Sequence, residues 1–180
     1  MAKLKPVAKL LRDLVALPSI NPAFLPDNPD LTGEERVAAH LTDLAAKRGL
    51  EVSRQAVLPD RSNLLVRLRP SGKAKRRIIL SPHLDVVPAE DKQFKPRVKN
   101  DRLHGRGSCD TKGSVATFFH ALLELTKDRR RPTQTEILFV GLVDEEHRQS
   151  GSRTLGQRGP KGDLAIAGEP TQLQVVTAHK

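Results

Sequence analysis

The chain has 180 residues, of which 37% are apolar and 29% are charged, a balance typical of one globular domain with a hydrophobic core. It contains no run near the roughly 18 consecutive apolar residues that a membrane span requires, so no membrane partner is expected. The formal net charge of +10 comes without any Trp or Tyr, the stacking groups of single-strand binders, so we expect no nucleic-acid partner.

The first quarter of the chain predicts two helices separated by a loop. Apolar residues recur at helical spacing over residues 3–16, which predicts an amphipathic helix. Residues 18–30 are rich in Pro and Asn and are predicted to form a loop. The segment Thr32-Gly33-Glu34-Glu35 is typical of a capping box, so it predicts the start of a second helix, which ends at Gly49.

The rest of the chain alternates strands with helices. Strands are predicted at residues 52–57, 63–68, 77–81, 135–143, 164–167 and 173–178, and helices at residues 114–127 and 152–155. Two of the strands, at residues 77–81 and 135–143, are nearly continuous apolar runs, as expected for the interior of a sheet. The alternation predicts a layered α/β domain.

Polar side chains follow three of these strands directly. They are His83 and Asp85, then Glu145 and Glu146, then Glu169. In open α/β sheets, ligands bind beyond the carboxyl ends of the strands. A further carboxylate, Asp110, lies on a loop that begins Gly105-Arg106-Gly107. The sequence therefore predicts one site at this edge of the sheet.

The residue types at this edge favour a divalent metal, because such ions bind imidazole nitrogen and carboxylate oxygen. The candidate ligands are His83, Asp110, Glu146 and Glu169. A metal-binding histidine usually donates its other N–H to an acceptor, and Asp85 is predicted to orient His83 in this way. An attacking water needs a base, a role predicted for Glu145. Adjacent strand residues point to opposite faces, so Glu145 and Glu146 must lie beyond the strand end.

Each of these motifs alone is weak evidence for a site, because a single His-x-Asp or a run of acidic residues usually lies on the surface in contact with solvent. Their joint placement after successive strands is what favours a site. Cys109 is expected to be a small packed residue rather than a ligand or nucleophile, and Lys112 either orders the Asp110 loop or is exposed. The other histidines are expected to be structural, at His40 and His120, or solvated, at His104 and His147.

Four segments together resemble the signatures of one family, the co-catalytic zinc amidohydrolases and exopeptidases that include acetylornithine deacetylase, succinyl-diaminopimelate desuccinylase, aminoacylase and carboxypeptidase G. The four segments are Ser81–Pro88, Gly105–Gly113, Asp144–Glu146 and Gly168–Thr171. The resemblance implies a layered zinc-exopeptidase-like catalytic domain with a central, mixed but mostly parallel sheet. It also implies hydrolysis of the amide bond of an N-acyl amino acid or small peptide.

The resemblance implies a role for each site residue. Two Zn²⁺ ions, for which Co²⁺ substitutes, would share Asp110 as a bridge. One ion would be held by His83 and Glu169 and the other by Glu146. Glu145 would be the general base. The formal charge of +10 is then either an ordinary basic surface or a field that attracts a small anionic substrate.

Members of this family are about twice as long, so residues 1–180 are expected to be the N-terminal portion of the catalytic domain. The C-terminal strands, the lid or dimerisation domain and the family's last metal-binding histidine would then be absent, and His179 does not replace that histidine. We accordingly expect tighter binding of one metal than of two, little activity alone, and a homodimer for the full-length form. One cysteine permits a reducing compartment, so a cytoplasmic location is expected. The alternative is a non-catalytic metal- or ligand-binding module of the same fold.

Overall fold

The computed structural model describes residues 4–172 and 174–177, and these contain both helices and strands. The helices are α1 (Pro6–Val15), α2 (Glu35–Ala46), α3 (Lys112–Leu125) and α4 (Ser150–Arg158). The strands are β1 (Glu51–Leu58), β2 (Arg61–Leu68), β3 (Arg76–Ser81), β4 (Arg97–Lys99), β5 (Arg102–His104), β6 (Thr135–Gly141) and β7 (Leu164–Ala167). Two short 3-10 helices span Asp91–Phe94 and Asp128–Arg130. None of the helices in the described part is long and apolar enough to cross a bilayer.

Five strands form the central sheet in the order β1-β2-β6-β3-β7. The pairs β1–β2 and β2–β6 are antiparallel, whereas β3 pairs in parallel with both β6 and β7. The predicted mixed α/β sheet is therefore confirmed, with parallel and antiparallel pairings in equal number rather than a parallel majority. Because β6, β3 and β7 are parallel neighbours, their carboxyl ends meet at one edge.

Helices cover both faces of this sheet. One face of β2 and β6, represented by Leu64, Val66 and Phe139, packs in a single cluster with buried residues of α1, α2 and α3. Inside it, the rings of Phe119 and Phe139 meet edge to face at 5.2 Å. The opposite face packs against α4 through Leu155. This alternation of buried faces follows from the two-residue period of strand side chains.

Most of the predicted elements are confirmed within about three residues at each end. The predicted capping box is wrong: the Thr32 hydroxyl donates to the carbonyl of Asn28 at 3.0 Å, and no side chain caps α2. The loop after β3 contains the hairpin β4–β5, which the sequence did not predict. The strand predicted at 173–178 is absent over residues 174–177. Its residues 173 and 178, residue 3 of the predicted first helix, and His179 lie outside the described residues.

Candidate metal centre

The predicted site residues lie at the shared carboxyl edge of β6, β3 and β7. A bridge between His83 and Leu142 extends the β3–β6 pairing beyond both strands, with the Leu84 N–H donating to the Leu142 carbonyl at 2.8 Å. His83 therefore occupies a fixed position at the end of the central parallel strand. Its side chain is only 1% exposed, so its two ring nitrogens must find partners inside the protein.

Each nitrogen of His83 has a defined partner. Nδ1 donates to the backbone carbonyl of Asp85 at 3.0 Å and lies 3.5 Å from the Asp85 carboxylate. Nε2 faces three carboxylates: Asp110 Oδ1 at 3.0 Å, Glu145 Oε2 at 3.8 Å and Glu169 Oε1 at 3.9 Å. Because Nδ1 donates to the Asp85 carbonyl, Nε2 is the nitrogen that would bind a metal, once the proton it shares with Asp110 is displaced.

The Asp85 carboxylate is completely buried and holds the turn that follows β6. Its Oδ1 accepts the N–H of Glu145 and its Oδ2 accepts the N–H of Glu146, both at 3.1 Å. Oδ2 also accepts from Asn21 Nδ2 at 2.7 Å. Asp85 thus contacts His83 mainly through its backbone oxygen, while its carboxylate accepts the N–H groups of Glu145 and Glu146.

Asp110 is placed by the residues that follow it. The Thr111 hydroxyl donates to the carbonyl of Gly168 at 2.5 Å, which ties this loop to the segment bearing Glu169. The Asp110–Thr111 peptide bond is cis. Lys112 is fully buried, so the alternative of an exposed lysine is wrong. The prediction of a packed Cys109 is also wrong, because this residue is exposed.

Lys112 anchors the loop to the end of α1. Its Nζ donates to the carbonyls of Leu14 and Leu17 at 3.1 and 2.6 Å, and burial, with the charge of Arg36, lowers the pKa of Lys112 to about 7. We expect Lys112→Met to reduce the free energy of unfolding by about 1–3 kcal/mol, because buried carbonyls lose their donors. Urea unfolding measures this, with exposed Lys99→Met as the control. An unchanged midpoint for Lys112→Met would contradict this anchoring role.

The crowding of carboxylates shifts the ionisation of the centre. Burial disfavours the charged form of His83, but hydrogen bonds with Asp110 and Asp85 and the charges of Asp85 and Glu169 raise its pKa to about 11. Burial raises the pKa of Glu146 to about 7, although the charge of His83 opposes this. The hydrogen bond from His83 lowers the pKa of Asp110. Several carboxylates thus lie close together around Nε2 of His83. A bound cation would neutralise their negative charge.

The residues present fit a divalent ion. Ligand atoms of His83, Asp110 and Glu146 all lie within 4.8 Å of one another. Ligand atoms about 2.1 Å from a tetrahedral ion lie about 3.4 Å apart, so small side-chain movements suffice for all three to bind one ion. Glu169 is outside this triad but faces the same nitrogen of His83. One imidazole and several carboxylates suit zinc and similar first-row metals.

All six predicted site residues therefore lie together, and the structure adds a buried polar layer behind them that the sequence did not predict. This layer consists of Asn21, Glu34, Arg61 and Asp144. Asn21 belongs to a loop rich in Pro and Asn, and Glu34 lies inside the predicted capping box. Of these four residues, only Asp144 could have been linked to the site from the sequence, because it lies beside Glu145. The other three are brought in by tertiary contacts from distant segments.

The fold and the site together define an α/β protein with a carboxylate-rich group of residues that could hold a divalent metal. The chain belongs to Peptidase family M20/M25/M40, whose sequence model matches residues 79–179. The match includes His83, Asp110, Glu146 and Glu169, so the family assignment rests on the same segments that build the centre.

Two curated relatives have similar sequences. Acetylornithine deacetylase of Vibrio cholerae is 33% identical over 155 residues, covering 82% of this chain and 39% of its own length. The putative [LysW]-lysine/[LysW]-ornithine hydrolase of Pyrococcus furiosus is 36% identical over 147 residues, covering 81% of this chain and 39% of its own length. The chain thus spans well under half the length of the relatives that it matches.

Solved structures show the same fold. Aminopeptidase PepT from Bacillus cereus superposes with a TM-score of 0.71 at 22% identity, covering 90% of this chain and 42% of that one. An M20 family metallo-carboxypeptidase from Sulfolobus solfataricus gives a TM-score of 0.69 at 17% identity, covering 92% and 37%. At these identities the likeness establishes the fold alone.

Proposed function

We propose that the chain carries the metal centre of a hydrolase that cleaves the amide bond of N-acyl amino acids or small peptides. The observation that carries the proposal is the convergence of His83, Asp110 and Glu146 within 4.8 Å, with a further carboxylate, Glu145, 3.8 Å from the same imidazole. The names of the relatives support it, since one is an acetylornithine deacetylase and another a putative hydrolase. The described fold would be a portion of a catalytic metallohydrolase domain.

The proposed metal is Zn²⁺, replaceable by Co²⁺, with two ions per complete site. His83, Asp110 and Glu169 would hold one ion, while Asp110 and Glu146 would hold the other. A divalent ion supplies Lewis acidity, which polarises the scissile carbonyl and stabilises the charge that develops on its oxygen. Among the described residues the second ion has fewer protein ligands, so we expect one ion to bind more tightly than two.

Glu145 is proposed as the general base. Its backbone is fixed by the hydrogen bond to Asp85 at 3.1 Å, while its side chain remains 29% exposed. A partly exposed carboxylate beside the centre can take the proton of an attacking water and return it to the leaving amine. Asp85 orients His83 and the turn bearing Glu145, and so acts through its neighbours.

The proposed substrate is a small anionic N-acyl amino acid or peptide. The formal net charge of +10 supports it, because a positive field raises the local concentration of anions. A cytoplasmic location and a homodimeric full-length form complete the proposal. The location is supported by the single cysteine and the dimer by the family resemblance alone.

Calorimetric titration of the metal-free chain with Zn²⁺, followed by assays on N-acetylornithine, N-succinyl-diaminopimelate, simple N-acyl amino acids and dipeptides, tests this function. We expect one tightly bound ion, a weaker second ion and slow hydrolysis of at least one substrate. The hydrolysis should stop with a chelator and resume with Zn²⁺. Metal binding without hydrolysis of any substrate would instead indicate a non-catalytic metal-binding module, and absence of metal binding would overturn the proposed site.

A further inference from the structure

A buried network of charges lies directly behind the turn that bears Glu145 and Glu146. Its members come from four segments: Asn21 after α1, Glu34 before α2, Arg61 at the start of β2, and Asp144 after β6. Asn21, Glu34 and Asp144 are at most 3% exposed, and the Arg61 side chain is 15% exposed. Burying charges is costly unless they are paired and hydrogen-bonded. Each charged group of this network should therefore have a specific partner.

Asp144 has an unusual backbone conformation, with φ of +62°, in the left-handed region that L-residues with a side chain disfavour. Its neighbours hold it there through every polar group it has. Its N–H donates to Glu34 Oε1 at 3.1 Å, and its Oδ1 accepts from Arg61 at 3.2 Å and from Asn21 at 3.1 Å. Its Oδ2 accepts from the Ser150 hydroxyl at 2.5 Å, and its carbonyl accepts the N–H of Gln149 at 2.7 Å.

Glu34 and Arg61 form the rigid part of the network. Arg61 Nε donates to Glu34 Oε2 at 3.0 Å and Nη2 donates to Oε1 at 2.5 Å. A bidentate pair of this kind fixes the orientation of both planar groups. The free side of the guanidinium reaches the Asp144 carboxylate, while the free lone pair of Glu34 receives the Asp144 N–H. The pair therefore contacts Asp144 at two points: Arg61 bonds to its side chain and Glu34 bonds to its backbone N–H.

The conformation of Asp144 affects the metal centre because Asp144 comes immediately before Glu145 and Glu146 in the chain. With Asp144 in the left-handed conformation, the next two N–H groups, those of Glu145 and Glu146, both point to the Asp85 carboxylate. Asn21 joins the two halves, because its Nδ2 donates to Asp85 at 2.7 Å and to Asp144 at 3.1 Å. If Asp144 relaxed to a helical or extended conformation, these two N–H groups would turn away from Asp85.

We propose that Glu34 and Arg61 are positioning residues for the metal centre: by holding Asp144 in its left-handed conformation, they aim Glu145 and Glu146 at the site beside His83. This inference rests on the proposed metal site. The competing interpretation is a buried ion pair that serves stability alone. Buried ion pairs often add little stability over apolar replacements, and this pair contacts the backbone of the residue immediately before Glu145.

Two conservative variants test the positioning role. Arg61→Lys keeps the charge but loses the bidentate geometry, and Glu34→Gln keeps the shape but loses the charge. Partners of metal ligands typically account for about 10- to 100-fold in metal affinity. We therefore expect each variant to bind the ion proposed for Asp110 and Glu146 at least about tenfold more weakly. The visible absorption spectrum of the Co²⁺-loaded chain should also change, because the ligand geometry changes.

The chain offers a matched control at Glu35, which follows Glu34 and is the first residue of α2. Arg54 donates to Glu35 at 2.9 Å, and both side chains are accessible to solvent. Arg54→Lys and Glu35→Gln repeat the same chemical changes on neighbouring segments without contact to the turn. We expect these controls to leave Zn²⁺ affinity within about twofold, because exposed ion pairs contribute little.

Amide hydrogen exchange of the metal-free chain provides a readout that does not depend on the metal. In the wild type, the amides of Glu145 and Glu146 should exchange slowly; in Arg61→Lys they should exchange at least tenfold faster, while those in β6 are unchanged. If one variant fails to fold, the other carries the comparison. Exchange of the wild-type amides at unprotected rates would overturn the proposal even without variants.

The outcomes separate this inference from the proposed function. If the wild type binds neither Zn²⁺ nor Co²⁺, the metal site fails, and the exchange rates still decide whether Glu34 and Arg61 fix the turn. If the wild type binds metal and the folded variants bind it with the same affinity and the same Co²⁺ spectrum, the positioning role is overturned. Reduced unfolding stability with wild-type metal binding likewise indicates a purely structural pair.

Discussion

Replacing Glu145 by Gln is expected to lower the rate of amide hydrolysis by about 10²- to 10⁴-fold, the usual contribution of a general base, while metal binding is retained. The amide of glutamine keeps the size of the side chain but accepts no proton at neutral pH. Glu145 lies outside the triad of His83, Asp110 and Glu146, so its replacement leaves those ligands in place. Turnover on the best substrate and Zn²⁺ stoichiometry are measured on the same preparation.

Glu90→Gln is a suitable control, because this carboxylate is exposed and pairs with Lys92 on the surface. It should leave both turnover and stoichiometry unchanged. Loss of metal together with turnover in Glu145→Gln would assign this residue as a ligand. A full wild-type rate in the metal-loaded variant would remove Glu145 as the base.

Replacing His83 by Ala is expected to weaken Zn²⁺ binding by more than 100-fold. Residues that merely orient a ligand already account for about 10- to 100-fold, and His83 is the only nitrogen donor of the proposed triad. Its Nε2 is also the atom toward which Asp110, Glu145 and Glu169 converge. Calorimetric titration with Zn²⁺ measures the loss, and far-UV circular dichroism checks that the chain remains folded.

His104→Ala is the control for this experiment. His104 is exposed at the end of β5, so its removal deletes an imidazole without touching the centre. We expect wild-type affinity for this variant. A folded His83→Ala chain that binds Zn²⁺ as tightly as the wild type would show that the metal binds elsewhere. The proposed catalytic role of this site would then be wrong as well.

The sequence was sufficient to predict most of the elements because their signals are local. The apolar run of β6 and the helical periodicity of α3 lie within single segments, so short-range patterns specify them. The candidate ligands could be found for a related reason. Each follows the end of an apolar strand or lies in a glycine-flanked loop, and parallel strands bring their carboxyl ends to one edge. The roles of these ligands remain predictions.

The sequence-based predictions were wrong where a side chain that fits a local motif instead bonds to a residue far away in the chain. Thr32 and Glu35 have the spacing and chemistry of a capping box, but the Thr32 hydroxyl donates to Asn28. Glu34, between them, bonds to Arg61, 27 positions later, and to the N–H of Asp144, 110 positions later. A charge-assisted bidentate pair is stronger than a neutral cap. Lys112 is similar, because its partners in α1 and just after it lie 98 and 95 positions earlier.

The sequence by itself determined the class of fold, the identity of the candidate metal ligands and the order in which they occur. Only the tertiary structure decided how those ligands are held: that the Asp85 carboxylate fixes the N–H groups of Glu145 and Glu146, and that Asn21, Glu34 and Arg61 hold Asp144. The physical reason is the range of the interactions. Hydrophobic periodicity acts within a segment, whereas a buried hydrogen bond joins whichever groups the packed layers bring together.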